Sequence, residues 1–385
     1  MIRQKLTRAG CCVFLCMISM SILPVNLVYG ASAKKTVVAP VVSDEPSGIS
    51  ADAAVLMDVA TGDLLFAKQA NKRRPPASTT KIMTAILGFE FGRSDEVVTV
   101  SQKAAAVGEA TLHLDPSEEI NLYELITGAL IRSGNDACVA IAEHIAGSEE
   151  QFVQLMNQKA YVLGAQNTHF ENTNGLPQKE HYSTAYDLAL MARYGLQIPQ
   201  FAAVTRQKET KIHFLEPDVY MDLRNTNKLL WNYPYADGVK TGTTTAAGKC
   251  LVASATKKGR QLLVVVLNAP DRFGDAKKLL EWGFERTETI RLVKAGQTIA
   301  DFPSSKEPVH VFSKDSIDIS IAKVKRQNIQ THVVWEKNAN LPVQAGERLG
   351  RLEVWLGKEK LNSVPLLSEN EVGKNYPLRH LFSSK

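Results

Sequence analysis

The sequence has no strong excess of basic or acidic residues. Its formal net charge is +5 over 385 residues, and residues 1 to 33 contain three basic residues and no acidic one, which leaves +2 for the remainder. Proteins that bind nucleic acid usually carry a basic stripe or a strongly basic composition. The charge balance therefore gives no support for a nucleic-acid partner.

The sequence also lacks metal-ligand spacing. It contains eight histidines, and no two of them form a pair such as His-x-x-x-His. That spacing places two imidazoles on one face of a helix, where they can share a metal ion. We therefore expect no metal and no other cofactor.

Cysteine is scarce as well. Of the five cysteines, Cys11, Cys12 and Cys16 lie close to the N-terminus, which leaves Cys138 and Cys250. These two are able to form a disulfide if the protein is exported. Each lies in an apolar run, however, where free cysteine is a common core residue, and we expect two buried thiols.

The N-terminus has an apolar run, but it is too short for a comfortable membrane span. Residues 11 to 23 follow three basic residues and precede the small-residue stretch Ala31-Ser32-Ala33. This is the order of a secretory signal peptide, so we expect residues 1 to 33 to be removed and the remainder to be exported. The alternative is an uncleaved anchor, which Pro24 and the short run disfavour. This segment contains no adjacent pair of arginines, so the twin-arginine export route is not expected.

A hydroxyl and an amine are paired by their spacing near residue 80. The stretch Pro75-Pro76-Ala77-Ser78-Thr79-Thr80-Lys81 opens an apolar, helix-compatible run. On a helix, Ser78 and Lys81 share one face. The lysine can activate the serine as a nucleophile if burial or another cation lowers its pKa. Taken alone, the motif fits a capped helix with a solvated lysine better than it fits an activated nucleophile.

Two later motifs change that interpretation. Ser133-Gly134-Asn135 is by itself typical of a turn, and Lys240-Thr241-Gly242 of a strand end. Together and in this order, the three motifs are the signature of penicillin-binding proteins and β-lactamases. From about residue 51 to residue 284 the chain resembles the low-molecular-mass penicillin-binding proteins, the serine-type D-alanyl-D-alanine carboxypeptidases. The run Lys277-Lys278-Leu279-Leu280-Glu281-Trp282-Gly283-Phe284 matches that family too.

The resemblance implies acyl transfer through a covalent ester on Ser78. Lys81, neutral in the resting site, would take the Ser78 proton, and the nearby Lys240 would lower the pKa of Lys81. Ser133 would relay a proton to the leaving amine. The main-chain N–H groups of Ser78 and Thr243 would hold the oxyanion.

The implied substrate is a peptidoglycan stem peptide that ends in D-Ala-D-Ala, with β-lactams as inhibitors that acylate the same serine. Asn135 would hydrogen-bond the backbone amide of the substrate, and Thr241 would bind the terminal carboxylate. Gly242 would leave the strand edge open to the substrate. Lys240 would attract the carboxylate too, and Arg272 would add a second cation for it. The alternative for Arg272 is an ordinary surface arginine.

The hydrophobic pattern predicts an α+β fold. Two strands in a hairpin come first, then a mostly helical stretch, then three strands and an amphipathic helix. This order predicts an antiparallel sheet with helices on its faces, as in the penicillin-binding transpeptidase and β-lactamase domains. The predicted strands are residues 53 to 58, 64 to 68, 239 to 243, 250 to 255 and 262 to 267, the helical stretch is 101 to 194, and the last helix is 274 to 286.

Near residue 290 the composition changes to short alternating strands, which predict a small all-β domain. The family often ends in an amphipathic helix that lies on the membrane. Here Pro377 leaves too few residues for a long helix, so we expect at most a weak membrane association. The expected segments are a signal peptide at 1 to 33, a linker at 34 to 50, a catalytic penicillin-binding domain at 51 to 289, the β domain at 290 to 370 and a tail at 371 to 385.

Three other functions stay open at this point. A β-lactamase needs a positioned base for fast deacylation, and residues 171 to 177 lack the Glu-x-x-x-Asn pattern that supplies it. A D,D-endopeptidase that cuts cross-linked peptidoglycan would use the same residues as a carboxypeptidase. A non-catalytic sensor of β-lactams or wall peptides is disfavoured because all three motifs are intact. Each of these functions, like the carboxypeptidase, places the protein in the periplasm, the cell wall or at the outer face of the cytoplasmic membrane.

Overall fold

A computed structural model describes residues 46–303, 309–336 and 342–371 of the chain. The expected signal peptide, most of the linker and nearly all of the C-terminal tail lie outside these residues. Within the described ranges, no helix combines the length and the apolar character needed to cross a membrane.

Up to residue 286 the chain forms both helices and strands, and after it strands prevail. The α-helices of the described ranges are α1 Lys81–Phe91, α2 Gln102–Ala105, α3 Leu122–Ile131, α4 Asn135–Ala146, α5 Glu149–Val162, α6 Ala185–Gly195, α7 Pro199–Thr205, α8 Leu229–Asn232 and α9 Arg272–Arg286. The strands are β1 Ala53–Asp58, β2 Leu64–Lys68, β3 Val97–Thr99, β4 Glu119–Asn121, β5 Glu209–Glu216, β6 Val219–Arg224, β7 Ala236–Thr244, β8 Gly248–Lys257, β9 Arg260–Leu267, β10 Thr287–Val293, β11 Thr298–Phe302, β12 Val309–Phe312, β13 Ile317–Ala322, β14 Ile329–Trp335, β15 Arg348–Leu356 and β16 Glu359–Ser368.

The main sheet has five antiparallel strands in the order β2-β1-β9-β8-β7. The inner strands β1 and β9 are rich in Ala, Val and Leu and are almost entirely buried. The expected hairpin and the three later strands are confirmed, with ends that shift by at most three residues. Because β7 is an edge strand, one side of its backbone has no sheet partner.

Helix α9 covers one face of the main sheet. Its residues Leu279 and Leu280 belong to one core cluster with Leu56 and Val264 of the sheet. A Cβ added at Gly283 would lie 2.6 Å from Leu56 Cδ2, so this glycine allows the helix to approach closely. Helix α6 packs on β1 and β9 outside that cluster. The expected arrangement of helices on an antiparallel sheet is therefore confirmed.

Helices α1, α3 and α4 pack together beside the sheet. Helix α3 is apolar around most of its circumference and is buried from Leu125 to its end, as expected of a helix enclosed by others. The chain turns at residues 132 to 134 and enters α4 at Asn135. The turn is therefore fixed at both ends by buried helices.

A second sheet, in the order β3-β4-β5-β6, is absent from the sequence-based prediction. Strands β5 and β6 form a hairpin that pairs Glu209 with Arg224 and Phe214 with Val219. Few residues of this hairpin are buried, among them Ile212. The weak burial leaves little alternation of apolar and polar residues to detect.

The C-terminal region is an all-β domain, as expected. It contains a two-stranded sheet, β10-β13, and a five-stranded sheet in the order β11-β12-β16-β15-β14, around a core of Val, Ile and Leu. Strands β10 to β16 form these two sheets. Thr289 Oγ1 donates to Asp58 Oδ2 at 2.9 Å, and the Ser320 N–H donates to Asp63 Oδ2 at 2.8 Å. These bonds attach the domain to the hairpin of the main sheet.

Candidate active site

Ser78 lies in a tight turn and not, as expected, at the start of an α-helix. Residues Ala77–Thr80 form a 3₁₀ turn, and α1 begins only at Lys81. Ala77 has a φ of +49°, a left-handed conformation that is unfavourable for alanine. Thr79 Oγ1 donates to the Pro76 carbonyl at 2.7 Å and so tightens the turn. Ser78 is partly exposed, while its neighbours Thr79 and Lys81 are buried.

The amine of Lys81 is fully buried and has three hydrogen-bond partners. Its Nζ lies 3.1 Å from Ser78 Oγ, 2.7 Å from Asn135 Oδ1 and 2.6 Å from the main-chain oxygen of Asn174. The latter two oxygens can only accept. When the ammonium loses a proton, its two remaining N–H bonds point to these acceptors. The lone pair then faces Ser78 Oγ, which is the geometry of a general base.

Burial lowers the pKa of Lys81 to about 8. The expectation that Lys240 causes this shift is wrong, because desolvation of the buried amine lowers the pKa. Lys240 is itself fully buried, and its Nζ donates to the Thr241 carbonyl at 3.0 Å. Burial, and to a smaller extent repulsion from Lys81, holds the pKa of Lys240 well below its usual range. Two buried amines whose charged forms repel each other therefore lie near one another in this site.

The Ser133 and Asn135 side chains come from the turn between α3 and α4. Ser133 is buried and has a φ of +75°, a strained conformation of the kind found at functional sites. Its hydroxyl makes no hydrogen bond to Lys81 or Lys240 in the described part of the chain. Asn135 is the first residue of α4, and its Nδ2 donates to the Gly108 carbonyl at 2.9 Å. The amide is thereby oriented with its oxygen toward Lys81.

Edge strand β7 brings the Lys-Thr-Gly motif beside the serine turn. A Cβ added at Gly242 would lie 3.0 Å from both the Pro76 carbonyl oxygen and the Ser78 nitrogen. The glycine therefore lets the strand approach the turn, a reason that differs from the expected access for substrate. This approach places the backbone of β7 and the N–H of Ser78 in one small region, as an oxyanion site requires.

The last part of strand β7 carries Thr241 and Thr243, and Arg272 of α9 lies against it. Arg272 is the first residue of α9, and its Nη1 donates to Thr243 Oγ1 at 2.8 Å and to the Gly242 carbonyl at 2.9 Å. It is therefore fixed against the motif and is not an ordinary surface arginine. Thr241 Oγ1 shares a 2.7 Å hydrogen bond with Thr226 Oγ1, a residue that sequence reasoning did not identify.

The loop that carries Asn174 also escaped sequence reasoning. The sequence gives no reason to single out Asn174, because a main-chain carbonyl has no signature in the amino-acid sequence. Gly175 has a φ of +88°, and a Cβ there would lie 1.9 Å from the Ala77 carbonyl oxygen. Asn172 Oδ1 accepts from the Gly175 N–H at 2.7 Å. The loop therefore packs directly on the serine turn.

Both cysteines of the described residues are free and buried, which confirms that expectation. Cys138 Sγ donates to the Gly134 carbonyl at 3.3 Å, and burial raises the pKa of this thiol to about 12. The thiol is therefore a protonated part of the core behind the Ser-x-Asn turn. No group of three or more His, Cys, Asp or Glu side chains in the described ranges is placed to hold a metal ion.

Comparison with known proteins agrees with this geometry. A family model described as D-alanyl-D-alanine carboxypeptidase matches residues 39–271, and one described as penicillin-binding protein 5, C-terminal domain, matches residues 288–374. The chain is 37% identical over 346 residues to the D-alanyl-D-alanine carboxypeptidase DacF of Bacillus subtilis, which covers 84% of this chain and 86% of that protein. It is 33% identical to DacC of Escherichia coli, with 87% and 86% covered.

Solved structures give the same result. Penicillin-binding protein 5 from Haemophilus influenzae aligns with a TM-score of 0.75 and 31% identity, over 86% of this chain and all of that one. The match extends over both the mixed domain and the β domain. The chain therefore belongs to the family of D-alanyl-D-alanine carboxypeptidases, Peptidase S11.

Proposed function

We propose that this protein is a serine D-Ala-D-Ala carboxypeptidase that removes the terminal D-alanine from peptidoglycan stem peptides through an acyl-enzyme on Ser78. The observation that carries the proposal is the environment of Lys81. Two acceptor-only oxygens take up its N–H bonds and leave the lone pair to the Ser78 hydroxyl at 3.1 Å. A serine with such a base can attack a peptide carbonyl near neutral pH.

In the acylation step, Ser78 Oγ attacks the carbonyl carbon of the penultimate D-alanine and its proton passes to Lys81 Nζ. The oxyanion that forms is held by the main-chain N–H groups of Ser78 and Thr243. Removal of one such donor typically costs about a hundredfold in rate or more. Gly242 supports this step, because its missing side chain allows β7 to lie beside the serine turn.

The leaving D-alanine amine must receive a proton before it departs. Ser133 is the proposed relay between the buried lysines and this amine, and its fixed left-handed backbone supports a defined position. Water then attacks the ester, with Lys81 again as the base. Asn135 has a dual role in this scheme, because it orients Lys81 and retains an amide proton for the backbone of the substrate.

The free carboxylate of the substrate is bound at the end of β7. Arg272 carries a positive charge there, and Thr241 contributes a hydroxyl that is hydrogen-bonded to Thr226. Lys240 lies beneath them, buried and bonded to the Thr241 carbonyl. A carboxylate bound in a site with two cations gains charge-assisted hydrogen bonds.

β-Lactams acylate Ser78 by the same attack, and we expect their hydrolysis to be slow. Glu171 is the acidic residue of the loop beside the site, but its Oε2 accepts from the Glu180 N–H at 2.7 Å. It is thus used at the outer end of the loop and is not presented to an acyl-enzyme. This observation favours the carboxypeptidase over a β-lactamase.

We further propose that residues 1 to 33 export the protein and that 51 to 289 and 290 to 370 are its two domains. Two separate family models, one that ends at residue 271 and one that begins at residue 288, support a division in this region. A weak contact of the tail after residue 371 with the outer face of the membrane is part of the same proposal. Release of the protein from membranes by dilute salt, but not by mild washing, is the test.

Covalent labelling tests the role of Ser78 itself. Incubation with a fluorescent penicillin should add one adduct per chain, located on Ser78 by peptide mass mapping. Ser78→Ala should remove the label while the thermal unfolding midpoint stays unchanged. A label that persists in this variant would show that another residue is the nucleophile.

A further inference from the structure

The Asn174 carbonyl accepts a hydrogen bond from Lys81, and the loop that carries it is held in place by a carboxylate from helix α5. Glu149, the first residue of α5, directs Oε1 at the neighbouring Thr173. This oxygen accepts from Thr173 Oγ1 at 2.8 Å and from the Thr173 N–H at 3.2 Å. One carboxylate oxygen thus fixes both the main chain and the side chain of the residue before Asn174.

The opposite side of Thr173 is fixed as well. Its carbonyl accepts from Thr84 Oγ1 at 2.5 Å, and Thr84 lies on α1 one helical turn after Lys81. Thr173 and Thr84 are both fully buried. Thr173 is therefore held between α5 and α1, by its N–H and hydroxyl on one side and by its carbonyl on the other. The next carbonyl along the chain lies 2.6 Å from Lys81 Nζ.

We propose that Glu149 and Thr173 are positioning residues that aim the Asn174 carbonyl at Lys81 and thereby keep the lone pair of Lys81 directed at Ser78. Neither residue touches the substrate or the reacting atoms. The inference rests on the proposed role of Lys81 as the base. It predicts that the Glu149–Thr173 contact controls the rate of attack and not the affinity for the acylating molecule.

The neighbouring Glu150 provides a matched control. Both carboxylates approach the same cation, with Lys103 Nζ at 3.6 Å from Glu149 and 3.0 Å from Glu150. Both also lie in the first turn of α5, where a negative charge interacts favourably with the helix dipole. The side chain of Glu149 is 17% exposed, whereas that of Glu150 is 72% exposed and makes no bond to the described residues of the loop.

The experiment measures acylation of the purified protein by a fluorescent penicillin, with the acylation rate constant at saturation and the dissociation constant determined separately. Thr173→Val and Glu149→Ala should each lower the rate constant about tenfold, in line with the cost of a small misplacement of a catalytic group. The dissociation constant should stay unchanged. Thr173→Ser, which keeps the hydroxyl, and Glu150→Ala should react at the wild-type rate.

The pH profile of acylation gives a second readout. In Thr173→Val the ammonium form of Lys81 loses an acceptor, so the acidic limb of the profile should move to lower pH. The charge of Glu149 is retained in this variant, which removes a direct electrostatic cause. The other titratable groups around Lys81 are unchanged too: Lys240 on β7, Asp136 and Cys138 on α4, Glu109 in the loop before β4 and His181 in the loop before α6.

Penicillin acylation is independent of the peptide that the protein acts on, so failure of the carboxypeptidase proposal would leave this test in force. The inference is overturned if Thr173→Val and Glu149→Ala react like the wild type, or if Glu150→Ala loses as much as Glu149→Ala. It is also overturned if the lower rates are explained by a lower folded fraction in thermal unfolding, or if the acidic limb does not move.

Discussion

The main-chain oxygen of Asn174 lies 2.6 Å from Lys81 Nζ and forms the shortest of the three hydrogen bonds of this buried amine. With Asn135 Oδ1 it occupies the two N–H bonds that a neutral lysine retains. A carbonyl in a separate loop therefore decides where the lone pair of the proposed base points. The chemistry of the Ser-x-x-Lys motif thus depends on a residue outside all three motifs.

The acylation rate should depend on pH through Lys81. Its pKa is about 8, so the base is present in roughly one chain in ten at pH 7 and in most chains at pH 9. Below pH 7 the acylation rate constant should rise close to tenfold for each pH unit, and above pH 8 it should level off. Stopped-flow or quenched measurements with a penicillin would give this profile. A rate that is constant between pH 6 and pH 9 would exclude Lys81 as the base.

The carboxylate role of Arg272 is testable with paired substrates. Arg272→Gln should lower kcat/KM for a peptide with a free C-terminal carboxylate by roughly 10- to 100-fold, the worth of a charge-assisted hydrogen bond. The amide or methyl ester of the same peptide should lose much less. Arg272 also donates to the Gly242 and Cys250 carbonyls. A purely structural effect of the substitution would therefore lower kcat/KM equally for both substrates. Equal loss would contradict the carboxylate role.

Gly175 should be intolerant of any side chain. Its φ is +88°, and an added Cβ would lie 1.9 Å from the Ala77 carbonyl oxygen, so Gly175→Ala must displace the serine turn. We expect a loss of about 2–4 kcal/mol in the free energy of unfolding and more than about a hundredfold in penicillin acylation.

Gly164→Ala is the matched control for that variant. Gly164 has a similar φ of +82°, but the nearest atom to an added Cβ is 3.9 Å away. It should cost about 1 kcal/mol of stability from backbone strain alone and leave acylation unchanged. Similar acylation rates in both alanine variants would mean that the contact between Gly175 and the serine turn is unimportant.

His181 should make the fold sensitive to acid. Its Nδ1 accepts from the Glu171 N–H at 3.1 Å, so Nε2 carries the proton and donates to Thr80 Oγ1 at 2.8 Å. Burial lowers the pKa of His181 from 6.5 to about 4. Between these two values the unfolded chain binds a proton that the folded chain does not, so stability falls as the pH falls from 6.5 toward 4.

The size of this effect follows from the same two values. Between pH 7 and pH 5, the wild type should lose about 2 kcal/mol more than His181→Gln in the free energy of unfolding. Urea denaturation at the two pH values provides the comparison, and the variant corrects for all other groups that titrate in this range. Equal losses in the two proteins would show that His181 is not buried in its neutral form.

Sequence reasoning named several side chains that the structure brings together, but not the backbone atoms among them. The residues Ser78, Lys81, Asn135 and Arg272 could be named because a hydroxyl, an amine, an amide and a guanidinium each have a residue type. The Asn174 carbonyl has none, because every residue carries one. The Glu149–Thr173 contact escaped for a related reason, since its partners are 24 positions apart in the chain.

The fold was predictable where burial creates a pattern. Strand β9 and helix α3 are continuous apolar runs of a kind that surface elements do not have. Strand β9 lies close to its expected position, and α3 lies within the predicted helical stretch. Hairpin β5–β6 is largely exposed and has few buried apolar residues, so its sequence did not predict two strands. The left-handed conformation of Ala77 was not predictable either, because alanine avoids it unless the surrounding structure imposes it.

The central claim is that Ser78 carries a D-Ala-D-Ala carboxypeptidase activity, and release of D-alanine tests it most directly. The purified protein should steadily release D-alanine from a diacyl-Lys-D-Ala-D-Ala peptide, and prior reaction with penicillin should stop the release. Ser78→Ala should release none. A stable penicillin adduct on Ser78 without any release of D-alanine would contradict the carboxypeptidase and point to a sensor or to an endopeptidase that requires cross-linked peptidoglycan.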